Sequence, residues 1–266
     1  MRLSTFLLPA WLLLAVMLTA CSDDPTKSDI YSSWSAKDFY EESKRALSAG
    51  EFKTAIEHLE NLEARFPFSP YARQAQLDVA YAYYKFEEPD SVITAADRFL
   101  RLNPRDEHVD YAWYLKGLAN FSRGAGFMDS WFPRDPSQHD SKTLKDSFSD
   151  FSTLVRRYPD SRYAVDAYKR LVYLRNELAE HEVVVANYYM KRGAWLAAVQ
   201  RGQYVIEHYS EAPARVQALQ IMDAAYTNLG MNDLATDARR ILASNQPVGA
   251  ATTNVATRLD VLPPVN

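Results

Sequence analysis

The stretch Ala49–Tyr84, AGEFKTAIEHLENLEARFPFSPYARQAQLDVAYAYY, holds one complete helix, a break and the start of the next helix. Within Glu51–Phe66 the apolar residues Phe52, Ala55, Ile56, Leu59, Leu62 and Phe66 recur at three- and four-residue steps, which sets them on one helical face. Pro67 and Pro70 end that helix, because neither has an N–H to donate and each pushes its predecessor toward extended backbone. Beyond them Tyr71, Ala75, Val79, Ala80, Tyr83 and Tyr84 build a second apolar face. Two such helices cannot bury both faces against each other alone. The unit requires neighbours.

The unit returns along the chain. Ala55, Val92, Ser147, Ala198 and Ala235 fall in one register, with Leu62, Phe99, Leu154, Val205 and Leu242 seven residues after them. Pro67, Pro104, Pro159, Ser210 and Pro247 stand twelve after, and Ala46, Tyr83, Tyr189 and Tyr226 stand nine before in four of the copies. A small residue where helices touch, a large apolar one two turns on and a terminating proline make the tetratricopeptide pattern, whose period is about 34 residues. The intervals here are 37, 55, 51 and 37, so two copies carry insertions of 18 and 14 residues. The spacing predicts an all-α tetratricopeptide-repeat solenoid of about five helix pairs.

Composition agrees with that class. Apolar residues make up 47% of the 266 and aromatics 13%, ample for a core, while glycine numbers only 8 and β-type alternation is absent. A net charge of −4 without a cluster of Lys/Arg interleaved with aromatics excludes a nucleic-acid surface. A single cysteine excludes an intrachain disulfide.

That cysteine has a telling position. Arg2 precedes the almost unbroken apolar run Leu3–Leu18, and Leu18-Thr19-Ala20-Cys21 follows with the small residues a signal peptidase needs. The run is short for a bilayer span of about 20 residues. This string resembles a bacterial lipobox, and the resemblance implies cleavage before Cys21 with acylation of its thiol and new amine. Several chains on one residue anchor stably where one chain does not. Ser22 in place of Asp implies onward sorting to the outer membrane. Residues 1–20 are thus expected to be a lipoprotein signal peptide and 21–34 a lipidated polar tether.

The solenoid is expected over 35–245, with N-terminal repeats at 35–122, an inserted loop at 123–140 and C-terminal repeats at 141–245. Ser35 is the expected N-cap of a helix Ala36–Ala49, with Asp38 as a weaker capping-box acid and Gly50 as terminator. Helices are expected at Tyr71–Phe86 and Ser91–Leu102, split by Pro89-Asp90, and a third pair beginning at Arg105, in which Gly117 allows another helix close. The loop Arg123–Asp140 is rich in Gly and Pro yet carries Phe127, Met128, Trp131 and Phe132; it either binds a partner or folds back onto the core. After a helix at Thr143–Tyr158, the run Ser161–Arg192 has neither Gly nor Pro, so the second insertion is expected to lengthen one helix to about 30 residues, some 45 Å. Gly193 ends it, Trp195–Tyr209 partners it, and Ala212–Leu229 and Asn232–Ser244 form the last pair around Gly230. The tail 246–266 is expected to be disordered.

Catalytic signals are missing. His58, His108, His139, His181 and His208 are scattered, and His181-Glu182 fails to complete a zinc-protease motif because Val185 stands at the closing position. Neither a serine elbow nor a phosphate-cradling glycine loop occurs, so no catalytic residue, metal or cofactor is expected. What remains is a surface that binds other polypeptides.

Several strings carry a closer resemblance: Arg65-Phe66-Pro67-Phe68-Ser69-Pro70-Tyr71, Tyr81-Ala82-Tyr83-Tyr84-Lys85, Asp97-Arg98-Phe99, Arg101-Leu102-Asn103-Pro104, Phe148-Ser149-Asp150-Phe151, Lys169-Arg170-Leu171 and Arg192-Gly193-Ala194-Trp195. With them the mature chain, except its tail, resembles the BamD family, the tetratricopeptide lipoproteins of the outer-membrane β-barrel assembly machine. Ser210 and Gly202 depart from that family's pattern, and so does the 127–136 loop. The resemblance implies a non-enzymatic scaffold on the periplasmic face of the outer membrane. Its N-terminal repeats receive unfolded outer-membrane proteins, its C-terminal repeats dock the POTRA region of BamA, and BamC and BamE join it. On that basis Tyr81, Tyr83, Tyr84 and Phe86 are expected to line a substrate-peptide groove, and Arg201, with Arg192 and Trp195, to meet BamA. From the residues alone, a pilotin or cell-wall-associated adaptor of the same architecture stays open.

Overall fold

The computed structural model describes residues 31–124 and 141–245. Cys21, the loop residues Phe127, Trp131 and Phe132, Pro247 and the 246–266 tail lie outside them. Ten helices occur among the described residues: α1 (Ala36–Ala49), α2 (Phe52–Arg65), α3 (Ala72–Lys85), α4 (Pro89–Leu102), α5 (Val109–Gly124), α6 (Ser141–Arg157), α7 (Ala164–Lys191), α8 (Trp195–His208), α9 (Arg215–Asn228) and α10 (Asn232–Asn245). Each packs on the next in sequence, giving five antiparallel pairs in a tetratricopeptide solenoid. The register residues Ala55, Val92, Ser147, Ala198 and Ala235 are all fully buried, as are Leu62, Phe99, Leu154 and Val205. Leu242, on the last described helix, is partly exposed.

Two kinds of turn alternate, and each repeats at the level of the backbone. Inside the pairs, the N–H groups of Glu51, Glu88, Ala194 and Met231 donate to the carbonyls of Ala46, Tyr83, Tyr189 and Tyr226 at 2.9–3.0 Å. The acceptors are the residues nine before each register position, so that sequence signal marks a turn as well as a packing site. Gly50, Gly193 and Gly230 occupy the left-handed region at φ 77°, 70° and 72°, and Glu87 holds the equivalent place at φ 60°. Between the pairs, the N–H groups of Ser69, Asp106, Ser161 and Ala212 donate to the carbonyls of Phe66, Asn103, Tyr158 and Tyr209 at 2.9–3.1 Å. The turn at Ser210 keeps that bond although it lacks the proline of the others.

Some boundaries differ from expectation for identifiable reasons. Pro89 opens α4 instead of separating it from α3, because a proline in the first turn gives up an N–H that has no partner there anyway. The third pair starts at Val109 and not Arg105, since Asn103–Asp106 forms the inter-pair turn. Asp38 makes a full reciprocal capping box with Ser35, at 2.8 Å to its backbone N–H. Tyr31 and Trp34, assigned to the tether by sequence, pack instead against Phe39 and His58 and close the free end of the array. Arg65 clasps them, donating from Nη1 to the Tyr31 carbonyl at 2.7 Å.

Glycine lets helices approach closely both within a pair and between pairs. A Cβ on Gly117 would lie 2.6 Å from the Phe151 ring, so α5 and α6 meet there as the sequence implies. Gly202 performs the same service for α8 and α9, with Met222 Cγ at 2.5 Å from an added Cβ. The long helix α7, 28 residues, carries α6 along its first part and α8 along its last.

Candidate functional site

The first helices of neighbouring pairs touch, α3 against α5 and α7 against α9. Cavities open instead between the second helices, α2 and α4, and α4 and α6. The array therefore curves with its first helices on the inside, and tyrosines crowd that face. Tyr40 on α1 stacks on Tyr71 at 5.1 Å, and Tyr111 on α5 stacks on Tyr163 at 5.1 Å, both with planes 27° apart. Tyr71 and Tyr163 share one place in the repeat, directly before α3 and α7. Tyr163 also stacks on Tyr114 at 4.7 Å.

These rings are partly exposed, and polar contacts hold them in place. The Tyr114 hydroxyl donates to Asp166 Oδ2 at 2.8 Å, and buried Arg170 donates to the same oxygen from Nε at 2.6 Å while lying 5.2 Å over the Phe121 ring. Ser161 Oγ donates to Asp110 at 2.6 Å, tying the turn before α7 back to α5. Burial pushes the phenols of Tyr111 and Tyr114 well above their ordinary range, and the Asp166 carboxylate adds to the effect at Tyr114. Both stay protonated at any physiological pH and keep a hydroxyl to donate. Rigid amphipathic rings of this kind offer contact area at low entropic cost, which suits an extended polypeptide.

The expected groove of Tyr81, Tyr83, Tyr84 and Phe86 is not one surface. Consecutive residues of a helix point in different directions, about 100° apart per residue. Tyr83 turns toward α2 and donates its hydroxyl to Glu60 at 2.5 Å, on the outer side. Tyr84 bridges the two main cores, its hydroxyl buried without a hydrogen-bond partner. Phe86 is an exposed helix end. Tyr81 and Tyr84 stay near the inner tyrosines, Tyr81 acting electrostatically on the Tyr111 phenol and Tyr84 on that of Tyr114. The residues that form the face, Tyr40, Tyr71, Tyr111, Tyr114 and Tyr163, went unassigned in the sequence. The common place of Tyr71 and Tyr163, sixteen after Ala55 and Ser147, was the available signal.

At the other expected site, Arg201 is engaged inside the molecule. Its Nη1 lies 3.1 Å from Glu182 Oε2, and Lys145 Nζ lies 3.6 Å from the other oxygen; the Glu182 side chain is 3% exposed. The carboxylate expected from a partner is thus supplied first by this chain. Arg192 and Trp195 both stand at the α7–α8 turn. The Arg192 guanidinium lies 4.6 Å over the Tyr188 ring, and Trp195 packs partly into the core beside Gly193. Tyr188 and Leu196 are exposed next to them. Among the described residues no group of His, Cys, Asp and Glu is arranged to hold a metal ion. Among those residues, too, no helix is long and apolar enough to cross a membrane.

Comparison with known proteins gives these surfaces a family context. A family model described as "YfiO: Outer membrane lipoprotein" matches residues 33–241. The chain is 40% identical to "Outer membrane protein assembly factor BamD" of Neisseria meningitidis over 88% of this chain and 89% of that one. It is 37% identical to the protein of the same name from Vibrio cholerae, over 88% and 96%. It is 32% identical to that of Haemophilus influenzae, over 89% of each.

Proposed function

The chain belongs to the YfiO family of outer membrane lipoproteins, and on that premise we propose that it is an outer-membrane protein assembly factor of the β-barrel assembly machine, as its BamD relatives are named. It works as a scaffold without chemistry of its own. A lipid on Cys21 holds it on the periplasmic face of the outer membrane. The inner tyrosine face receives unfolded outer-membrane polypeptides, and the α7–α8 edge, with Arg192, Trp195 and the exposed part of Arg201, docks the POTRA region of BamA. BamC and BamE join the same assembly.

The observation that carries this reading is identity of 40% sustained over 88% of the chain, far beyond what a shared repeat pattern requires. The partly exposed, pre-stacked rings support the substrate role, and the exposed Tyr188, Arg192 and Leu196 support the docking role. Arg192→Glu tests the edge, since Arg192 is not tied to a buried carboxylate as Arg201 is. Recovery of BamA with the variant from solubilised outer membranes should fall about tenfold, as loss of one charged contact implies, with helicity unchanged. Undiminished recovery would remove the edge from the account. In the same cells Cys21→Ala should leave the outer-membrane fraction; retention there would refute the anchor.

A further inference from the structure

On the side away from the tyrosines, two cavities of about 320 and 300 Å³ lie end to end between α2 and α4, sharing Glu60 and Arg98. Glu60 and Glu63 line them beside the guanidinium of Arg98, and Asp90, at the far end, pairs with Arg123 at 3.4 Å. Glu63 is the informative group. Its side chain is only 10% exposed, and one oxygen, Oε2, meets Arg98. The other, Oε1, is buried without a hydrogen-bond partner among the described residues. Burial raises the Glu63 carboxyl above its usual range, and Arg98 offsets this only in part. Glu60 already receives the Tyr83 hydroxyl, which fixes the cleft wall. Ala64, Pro67 and exposed Leu102 make one end of the cleft apolar.

We propose that the α2–α4 cleft binds an extended polypeptide through a basic side chain whose guanidinium or ammonium donates to Glu63. A buried carboxylate oxygen lacking a donor is unfavourable, and a cationic donor answers both its hydrogen bond and its charge. Arg98, whose side chain is 43% exposed, holds the other oxygen and competes for the same negative charge. Glu60 adds negative charge along the cleft. Two cavities in line, with apolar wall at one end, fit a strand of polypeptide better than a compact ion. The proposal is independent of the inner face and of the family role.

The test uses the full mature chain in detergent and a short fluorescein-labelled peptide in which arginines alternate with threonine and alanine, read by fluorescence anisotropy. The matching peptide with citrulline in place of arginine keeps the shape and removes the charge. The arginine peptide should bind saturably and the citrulline peptide about tenfold more weakly, the effect of one charge-assisted hydrogen bond. Glu63→Gln should weaken the arginine peptide by a similar factor. Arg98→Gln should tighten it, because the internal competitor is gone; a residue needed only for folding would have the opposite effect. Equal binding of the two peptides, unchanged binding to Glu63→Gln, or weaker binding to Arg98→Gln would each overturn the proposal.

Discussion

The two halves of the array bury different kinds of group. In α1–α4 the buried polar side chains are Ser43, His58 and Asp78, and the free end is sealed by the rings of Tyr31, Trp34 and Phe39. In α5–α10 more charged groups go inside than the Asp78 of the first half: Asp150, Arg170 and Glu182 are at least 95% buried. Each of these joins helices. Glu182 on α7 meets Lys145 of α6 and Arg201 of α8, while Asp150 on α6 meets Lys116 and Asn120 of α5. Lys116 also reaches Asp97 of α4 at 2.8 Å. The insertions fall in this second half, after α5 and within α7. Apolar register aligns the pairs throughout, and buried ions add most to it in the half that carries the insertions.

Removing Glu182 should break the second mechanism most severely. Glu182→Ala leaves Lys145 and Arg201 facing each other without a counter-charge and should cost about 3–5 kcal/mol in urea unfolding. Replacing all three residues by apolar ones of similar size should recover most of that stability. A single variant near neutrality would show that the ions do not set the packing.

The close contact of α5 with α6 comes next. Gly117→Ala sets a methyl group 2.6 Å from a fully buried phenyl ring and should cost about 2–3 kcal/mol, with Phe151→Leu in the same chain restoring part of it. No loss would mean that the α5–α6 contact is looser than described.

Asp150 sharpens the comparison through pH. Burial, the largest influence, raises its carboxyl from 3.8 to about 6 despite Lys116 and Asn120. A folded value above the unfolded one means that the stabilisation is complete below pH 4 and lost as pH rises through 6. Lowering pH from 7.5 to 4.5 should therefore stabilise the native chain by about 2 kcal/mol relative to Asp150→Asn. Parallel stability curves for the two chains would contradict the buried-carboxylate description.

The smallest effect belongs to the regular half. Glu87 stands at φ 60° where the other three intra-pair turns among the described residues have glycine, so Glu87→Gly should raise stability by about 1 kcal/mol. A decrease would indicate that the side chain of Glu87 has another role.

The sequence reveals these two mechanisms unequally. The register from Ala55 to Ala235 was legible because each residue touches the neighbouring helix in every copy, which leaves a periodic trace. Gly50, Gly193 and Gly230 marked their turns for the same reason, and Glu87 hid a fourth because its residue type does not favour the left-handed region. The Lys145–Glu182–Arg201 cluster left no trace, since its members come from three helices and share no spacing. The inner tyrosines were partly hidden as well: a ring exposed on one side and packed on the other reads as core. The aromatic run Tyr81–Phe86 drew the assignment instead, although helical geometry scatters it around α3.

On the proposed reading, the inner tyrosine face holds client polypeptide while the α7–α8 edge holds the assembly machine. Photoreactive residues placed in living cells at Tyr111 and at Tyr188 test it directly. The account predicts unfolded outer-membrane protein crosslinked from position 111 and BamA from position 188. Client captured from 188 and not from 111 would contradict it.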